Sequence, residues 1–396
     1  MSTTSMSKAL RVLSPRHNKP IMPFLKTRHL QTTASGRKAP PLAFVFDIDG
    51  VLIRGAQVLP EAKKALNILA GENPFRTKIP FLLLTNGGGV SEEARCKSLS
   101  AKLGVEVLLS TSQYIQSHTI LKKHARRFAD EPILVLGGEL DTVRRVAEGY
   151  GFKRVYTTLD VLAWNPSTWP FHQLTEAEKE STKAADFSKL PISAVFVFHD
   201  PRNWALDVQI LSDILQSGGI IGGPWVPVEK QQKLVELTFC NPDLLWGSDF
   251  PRPRIGQGGF KEAFQAVFKA ITGKQYPYVQ YGKPTKATYD FTKEVLEQRF
   301  NEEYGSSSKP SSLYMIGDNP ESDIAGANAA QWNSVLVKTG VYNPEQGPPA
   351  HAPTHTANDV LEAVQWAVER EYSKLCALAV NPFMIILPPS TDNLHQ

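Results

Sequence analysis

The sequence predicts an α/β fold built on a parallel sheet, with a second α/β unit inserted into it. Three observations lead there. Unbroken apolar runs recur at Leu42–Phe46, Ile79–Leu84 and Leu313–Ile316, the pattern of strands buried on both faces of a parallel sheet. Each run is followed by turn residues and then by a helix signal, the alternation of α/β folds. The middle of the chain, from about Gln116 to Gly259, repeats this rhythm by itself. The 396 residues are 42% hydrophobic and 21% charged, enough for a sizeable core and about two domains.

The first run, Leu42–Phe46, passes directly into Asp47-Ile48-Asp49-Gly50. Ligand crevices in open α/β sheets lie beyond the carboxyl ends of the strands. Two residues apart on a strand means one face, so both carboxylates are expected to address one ligand. Two like charges this close need a cation or a shared proton. An ordinary strand-to-turn boundary also favours Asp and Gly, so these residues alone leave both readings open.

Pro60–Leu69 follows as a short amphipathic helix with Ala62, Ala65, Leu66 and Leu69 on one side. The run Ile79–Leu84 ends in Thr85-Asn86-Gly87-Gly88-Gly89, and Ser91-Glu92-Glu93 is a helix start. A hydroxyl and free backbone N–H groups at such a junction suit an oxyanion such as phosphate. In the middle section, Ile133–Leu136, Ile192–Phe198 and Leu234–Phe239 read as strands, and Glu139–Tyr150 and Trp204–Leu215 as helices. The polar stretch Asn165–Lys189 reads as a surface insertion.

Asn241-Pro242-Asp243 closes this section, and the Pro-rich Phe250–Arg254 leads out. Gly256-Gln257-Gly258-Gly259 opens a helix over Phe260–Ala270 and is a tight turn rather than a dinucleotide fingerprint. Gly282-Lys283-Pro284 opens a helix over Thr285–Phe300, with Pro284 suited to a first helical position. A lysine is ordinarily a solvated charge; here it is held at a helix start. Leu313–Ile316 ends in Gly317-Asp318, and Asp323 stands at the start of the next helix. Ser334–Val337 is a last strand, Asp359–Arg370 a closing helix, and Leu375–Leu387 a packing tail.

Charge is unevenly placed. Eight of the 43 Lys and Arg precede Asp47 with no acid among them, so the other 35 face all 39 Asp and Glu. The body is mildly acidic and gives no case for nucleic acid. The first ~40 residues, rich in Ser, Thr and Arg, have the composition of a mitochondrial transit peptide, a disordered basic tail being the alternative. Cys96, Cys240 and Cys376 form neither a disulfide framework nor a zinc spacing. No apolar stretch is long enough to span a membrane.

Asp47-x-Asp49-Gly50, Thr85-Asn86, Gly282-Lys283-Pro284 and Gly317-Asp318 followed by Asp323, in this order on successive strands, resemble the haloacid dehalogenase (HAD) superfamily. The insertion between Thr85 and Lys283 resembles the type-two cap of subfamily IIA. Trp164-Asn165-Pro166, Trp169-Pro170-Phe171, Asn241–Trp246 and Gly256-Gln257-Gly258 resemble, more narrowly, the mitochondrial cat eye syndrome critical region protein five family. The resemblance covers about Pro41 to Asn343.

The resemblance implies a HAD-like Rossmannoid core in two parts, 41–115 and 260–370, and a cap at 116–259, with a leader at 1–40 and a tail at 371–396. It implies a Mg²⁺-dependent phosphatase acting on a small phosphorylated metabolite. Asp47 would be the nucleophile and Asp49 the general acid and base. Thr85 and Asn86 would bind the phosphate, and Lys283 would offset its charge. Asp47, Asp49, Asp318 and Asp323 would form the Mg²⁺ site. The expected partners are that metabolite and, through the cap, a second copy of the chain, in the mitochondrial matrix. The competing expectation is a HAD-like scaffold without significant turnover. Where some relatives carry Thr-Asn-Asn, this chain has Asn86 followed by Gly87-Gly88-Gly89, which removes side chains near the substrate. Substrate choice is expected in the cap loops.

Overall fold

The computed structural model describes residues 39–104, 109–248, 250, 252–305 and 309–380. The expected leader therefore falls almost wholly outside the described residues, as does the tail beyond 380.

Six parallel strands form the first sheet, in the order His355–Ala357, Asn333–Val337, Ser312–Gly317, Leu42–Phe46, Phe81–Thr85 and Tyr114–Gln116. Leu42–Phe46 sits near the middle and is buried throughout. Its alternate residues divide between two apolar clusters. Phe44 and Phe46 pack on one side with the helices Pro60–Ala70 and Val360–Val380, and Ala43 and Val45 on the other with Tyr289 and Leu296. An apolar residue at every position is the consequence of having two buried faces.

The chain builds outward from Leu42–Phe46 in one direction through Phe81–Thr85 and Tyr114–Gln116. It then returns to the other flank at Ser312–Gly317 and builds the opposite way. The order thus reverses between Leu42–Phe46 and Ser312–Gly317, whose carboxyl ends carry Asp47 and Asp318. A crevice opens at such a reversal because the two following connections leave on opposite faces.

The second sheet has five strands, all parallel, in the order Val279–Gln280, Glu236–Phe239, Ala194–Val197, Pro132–Leu136 and Arg154–Tyr156. Here the boundary expected at 259 is corrected. The helix Gln257–Thr272 buries Phe260, Phe264 and Phe268 among the apolar residues of the second sheet, together with Tyr276. Val279–Gln280 then pairs with Glu236–Phe239. The second unit therefore ends near residue 281, because an amphipathic helix follows the surface that covers its apolar face. The strand Arg154–Tyr156 is too short to show a period in sequence.

Three further expectations shift. The helix after Lys283 begins at Lys286 with Thr285 as its cap, so Pro284 lies in the preceding turn. The closing helix runs from Val360 to Val380, so the tail expected from 371 begins as helix. Buried Glu371 on its continuation accepts a hydrogen bond from Tyr314 Oη at 2.6 Å. The stretch Asn165–Lys189 is not merely superficial. Arg144 Nη2 donates to Ser181 O (2.9 Å) and pairs with Asp160 (2.8 Å), whose Oδ1 also accepts from Lys183 N (2.7 Å). Phe187 is fully buried in the cluster of the second sheet.

Candidate active site

Asp47 is the first residue beyond its strand, and its N–H still donates to Ile316 O (2.9 Å). The chain then turns sharply, with Ile48 O accepting from Leu52 N and Ile53 N (2.9 and 3.0 Å). Asp47 is buried, and Asp49, beyond the turn, is exposed. Asp49 nevertheless sits in a recess. Partial desolvation, and next the charge of Asp47, raise its pKa, while Arg95 and Lys283 pull it down.

Lys283 is the hub. Its Nζ lies 2.7 Å from Asp47 Oδ1 and 2.7 Å from Asp323 Oδ1, and the residue is 2% exposed. Burial works against its charge, but the carboxylates of Asp323 and Asp47 outweigh burial and hold the ammonium protonated well above its ordinary range. Its position is fixed by Asn86. Asn86 Oδ1 accepts from Lys283 N (2.7 Å), and Asn86 Nδ2 donates to Lys283 O (2.9 Å) and Asp243 Oδ2 (3.0 Å). The side chain of Asn86 thus clamps the Lys283 loop beside Thr85. Thr85 is buried at the end of its strand, where its Oγ1 accepts from Gly87 N (2.9 Å).

Asp318 and Asp323 complete the group. Asp318 Oδ2 accepts from Val341 N (2.6 Å), and Asp323 Oδ2 from Asn319 N (3.1 Å). Gly340 leaves the room for this: a Cβ there would lie 1.9 Å from Asp318 Oδ2. Burial, then Asp47 and Asp323, drive the Asp318 pKa well up, and burial raises that of Asp323 to about 6. Carboxylate oxygens of Asp47, Asp318 and Asp323 all lie within 4.8 Å of one another. Three buried carboxyl groups facing one ammonium can all ionise only beside a further cation, which a divalent ion would supply. An all-oxygen donor set of few carboxylates suits Mg²⁺, which keeps several waters. The Asp49 carboxylate, expected as a fourth ligand, lies outside this group.

Several contributors were not legible in the sequence. Asp243 was seen only as part of a motif, yet it anchors Asn86, and burial raises its pKa to about 7. The Gly340–Val341 contribution comes from a loop without motif character. The glycines after Asn86 also find their reason: a Cβ on Gly88 would lie 2.7 Å from the His118 ring, and one on Gly89 2.5 Å from the His199 ring. His118 lies between the last strand of the first sheet and the first helix of the second unit. Its Nε2 accepts from Gly89 N (3.1 Å), and its Nδ1 is 2.9 Å from Tyr150 Oη, which donates to Glu92 Oε1 (2.6 Å). Since Gly89 N–H can only donate, Nε2 is unprotonated and the ring neutral; burial depresses its pKa to about 3.

Comparison with known proteins places this geometry in a class. Residues 44–153 match the haloacid dehalogenase-like hydrolase family, and 280–363 match a HAD-hydrolase-like family. The chain belongs to the HAD-like hydrolases and is a hydrolase. Among its relatives, a mitochondrial hydrolase of Saccharomyces cerevisiae is 39% identical over 362 residues, covering 87% of this chain and 98% of its own length. A cardiolipin synthase (CMP-forming)/mitochondrial hydrolase fusion protein of Schizosaccharomyces pombe is 40% identical over 344 residues, covering 86% of this chain; the chain spans 55% of that protein's length.

Similar solved structures include a hypothetical protein of Pyrococcus horikoshii (TM-score 0.56, 22% identity, 82% of this chain and 99% of that one). A 4-nitrophenylphosphatase of Thermotoga maritima is also similar (0.53, 18%, 82% and 97%). So is a glycerol phosphate phosphatase of Mycobacterium tuberculosis solved with magnesium (0.52, 17%, 82% and 77%). At these identities the likeness is one of fold: a HAD-like core with a cap.

Proposed function

We propose that this hydrolase is a Mg²⁺-dependent phosphatase acting on a small phosphorylated metabolite in the mitochondrion. The observation that carries the reading is the Lys283 ammonium bridging buried Asp47 and Asp323, with Asp318 converging on the same point. Phosphoryl transfer asks mainly for positioning and charge neutralisation, and this centre concentrates both. Asp47 attacks phosphorus, and the ester P–O bond breaks as the aspartyl-phosphate forms. Asp49, exposed at the mouth with a raised pKa, delivers its proton to the departing alcohol and then takes one from the attacking water. Water attack on the aspartyl-phosphate frees phosphate and restores the Asp47 carboxylate. Thr85 Oγ1 binds a phosphoryl oxygen, and Lys283 offsets the charge gathered around Asp47. Mg²⁺ held by Asp47, Asp318 and Asp323 would neutralise charge on the phosphoryl oxygens.

The names of the phosphatase structures support the reaction class, and those of the two yeast relatives support the mitochondrial location. The fusion to cardiolipin synthase in one of them supports work close to a phospholipid-synthesising enzyme. The test is a panel of phosphorylated metabolites assayed for phosphate release with and without Mg²⁺. Metal-dependent release from a subset of the panel is the expected result. No release from any ester by folded, Mg²⁺-loaded protein would favour the scaffold alternative.

A further inference from the structure

After Asp243 the chain forms an antiparallel hairpin, Leu245–Trp246 against Arg254–Ile255. Gly256 N bonds to Leu244 O (2.9 Å) at its base. Leu244, Leu245, Trp246, Phe250 and Ile255 are all 46–63% exposed. None of the five belongs to any of the four apolar clusters of the described residues. Two exposed arginines, Arg252 and Arg254, are interleaved with them, and the Arg254 guanidinium lies 4.3 Å from the centre of the Phe250 ring. Between Leu244 and Gly256 the sequence has a single acid, Asp249, against these two bases.

Five large exposed apolar side chains on one short hairpin are more than scattered surface hydrophobics, which occur singly. Leu, Phe and Trp together with Arg is the composition of segments that enter the headgroup region of a bilayer. There the apolar parts leave water and the guanidinium groups meet lipid phosphates. The position matters too. Gly247 on the hairpin comes close to Val341, whose N–H holds Asp318, and Asp243 at its root is bonded to Asn86. The hairpin therefore stands beside the mouth of the acidic centre.

We propose that the hairpin strands Leu245–Trp246 and Arg254–Ile255, with Leu244, Phe250 and Arg252, form a membrane-docking element that seats this side of the protein on an anionic phospholipid surface. No helix among the described residues is long and apolar enough to cross a membrane. Such docking goes beyond the phosphatase reading and does not depend on it. A surface-seated hairpin brings the catalytic mouth within reach of phosphate esters held at that surface.

The test is co-sedimentation of the full chain with vesicles of equal parts phosphatidylglycerol and phosphatidylcholine, and with phosphatidylcholine alone. The eight basic residues before Asp47 also attract anionic lipid, so two hairpin variants decide the matter. One carries Leu245→Ser with Trp246→Ser, the other Arg252→Gln with Arg254→Gln. Wild type should bind the anionic vesicles, and each double variant should bind at least about tenfold more weakly, given the usual worth of a basic residue or a large apolar one at such a surface. Thermal unfolding of the variants should match wild type. Absence of wild-type binding, or variant binding equal to wild type, would overturn the proposal. So would a wild-type dimer that the Leu245→Ser/Trp246→Ser variant abolishes in the absence of lipid, since a second copy would then be the occupant.

Discussion

Lys283 holds together carboxylates that would otherwise repel. Replacing one partner of a buried ion pair leaves the others uncompensated and costs about 3–5 kcal/mol. Lys283→Met, studied in EDTA at pH 7 by urea unfolding, should lose stability of that order, and saturating Mg²⁺ should recover part of it. Equal stability of variant and wild type would mean that the acids are neutral without the lysine. His118 makes a second prediction. Its folded pKa of about 3 lies below its ordinary 6.5, so below pH 6.5 the unfolded chain takes up a proton that the folded one refuses. Its contribution is therefore steady above pH 6.5 and turns against the fold as pH drops, by about 2 kcal/mol at pH 5. Other buried groups also titrate, so the readout is the difference between wild type and His118→Gln. That difference should change by about this amount between pH 7 and 5, with wild type losing more; parallel pH profiles would contradict it.

At the scale of elements, the site is a meeting of strand ends and loops, and its tolerances are set by close approach. Gly340 is the sharpest case: a methyl group there collides with the carboxylate of Asp318. Gly340→Ala should leave far-UV circular dichroism unchanged, shift the Mg²⁺ titration upward and lower kcat by about 100-fold, the usual cost of moving a catalytic group by an ångström. An unchanged metal titration would place the metal elsewhere. No sequence pattern marks Gly340, whereas Asp47, Thr85 and Asp318 could be read directly because each follows an apolar run that fixes it at a strand end. The clamping role of Asn86 could not be read, because its partners lie at Asp243 and Lys283 and a contact across that separation leaves no local period. The Asp49 carboxylate lies outside the acidic group because the chain turns at Ile48, past the end of the strand, where strand alternation no longer applies. The second unit's last helix was assigned to the wrong body because amphipathicity tells that a face is buried, not against what.

At the scale of the molecule, a six-stranded core sheet supplies the charged centre, and a second parallel sheet adjoins it through the Gly87–Gly89 loop, His118 and His199. The order of elements was legible because both units are parallel α/β, with strongly apolar strands. The basic, acid-free leader lies outside the described residues, and its role is testable independently. A reporter fused to residues 1–45 should enter mitochondria, and a cytosolic reporter would remove the targeting reading without touching the chemistry.

The proposed function requires the Asp47–Lys283–Asp318–Asp323 centre to hydrolyse phosphate esters through Asp47 with a divalent metal. The most direct measurement is kcat/KM for 4-nitrophenyl phosphate, with Mg²⁺ and with EDTA, in wild type and in folded Asp47→Asn. Turnover is expected only for wild type with Mg²⁺, with a fall of at least about 10³-fold on removing either the metal or the carboxylate. Turnover by Asp47→Asn equal to wild type, or turnover indifferent to the metal, would contradict it.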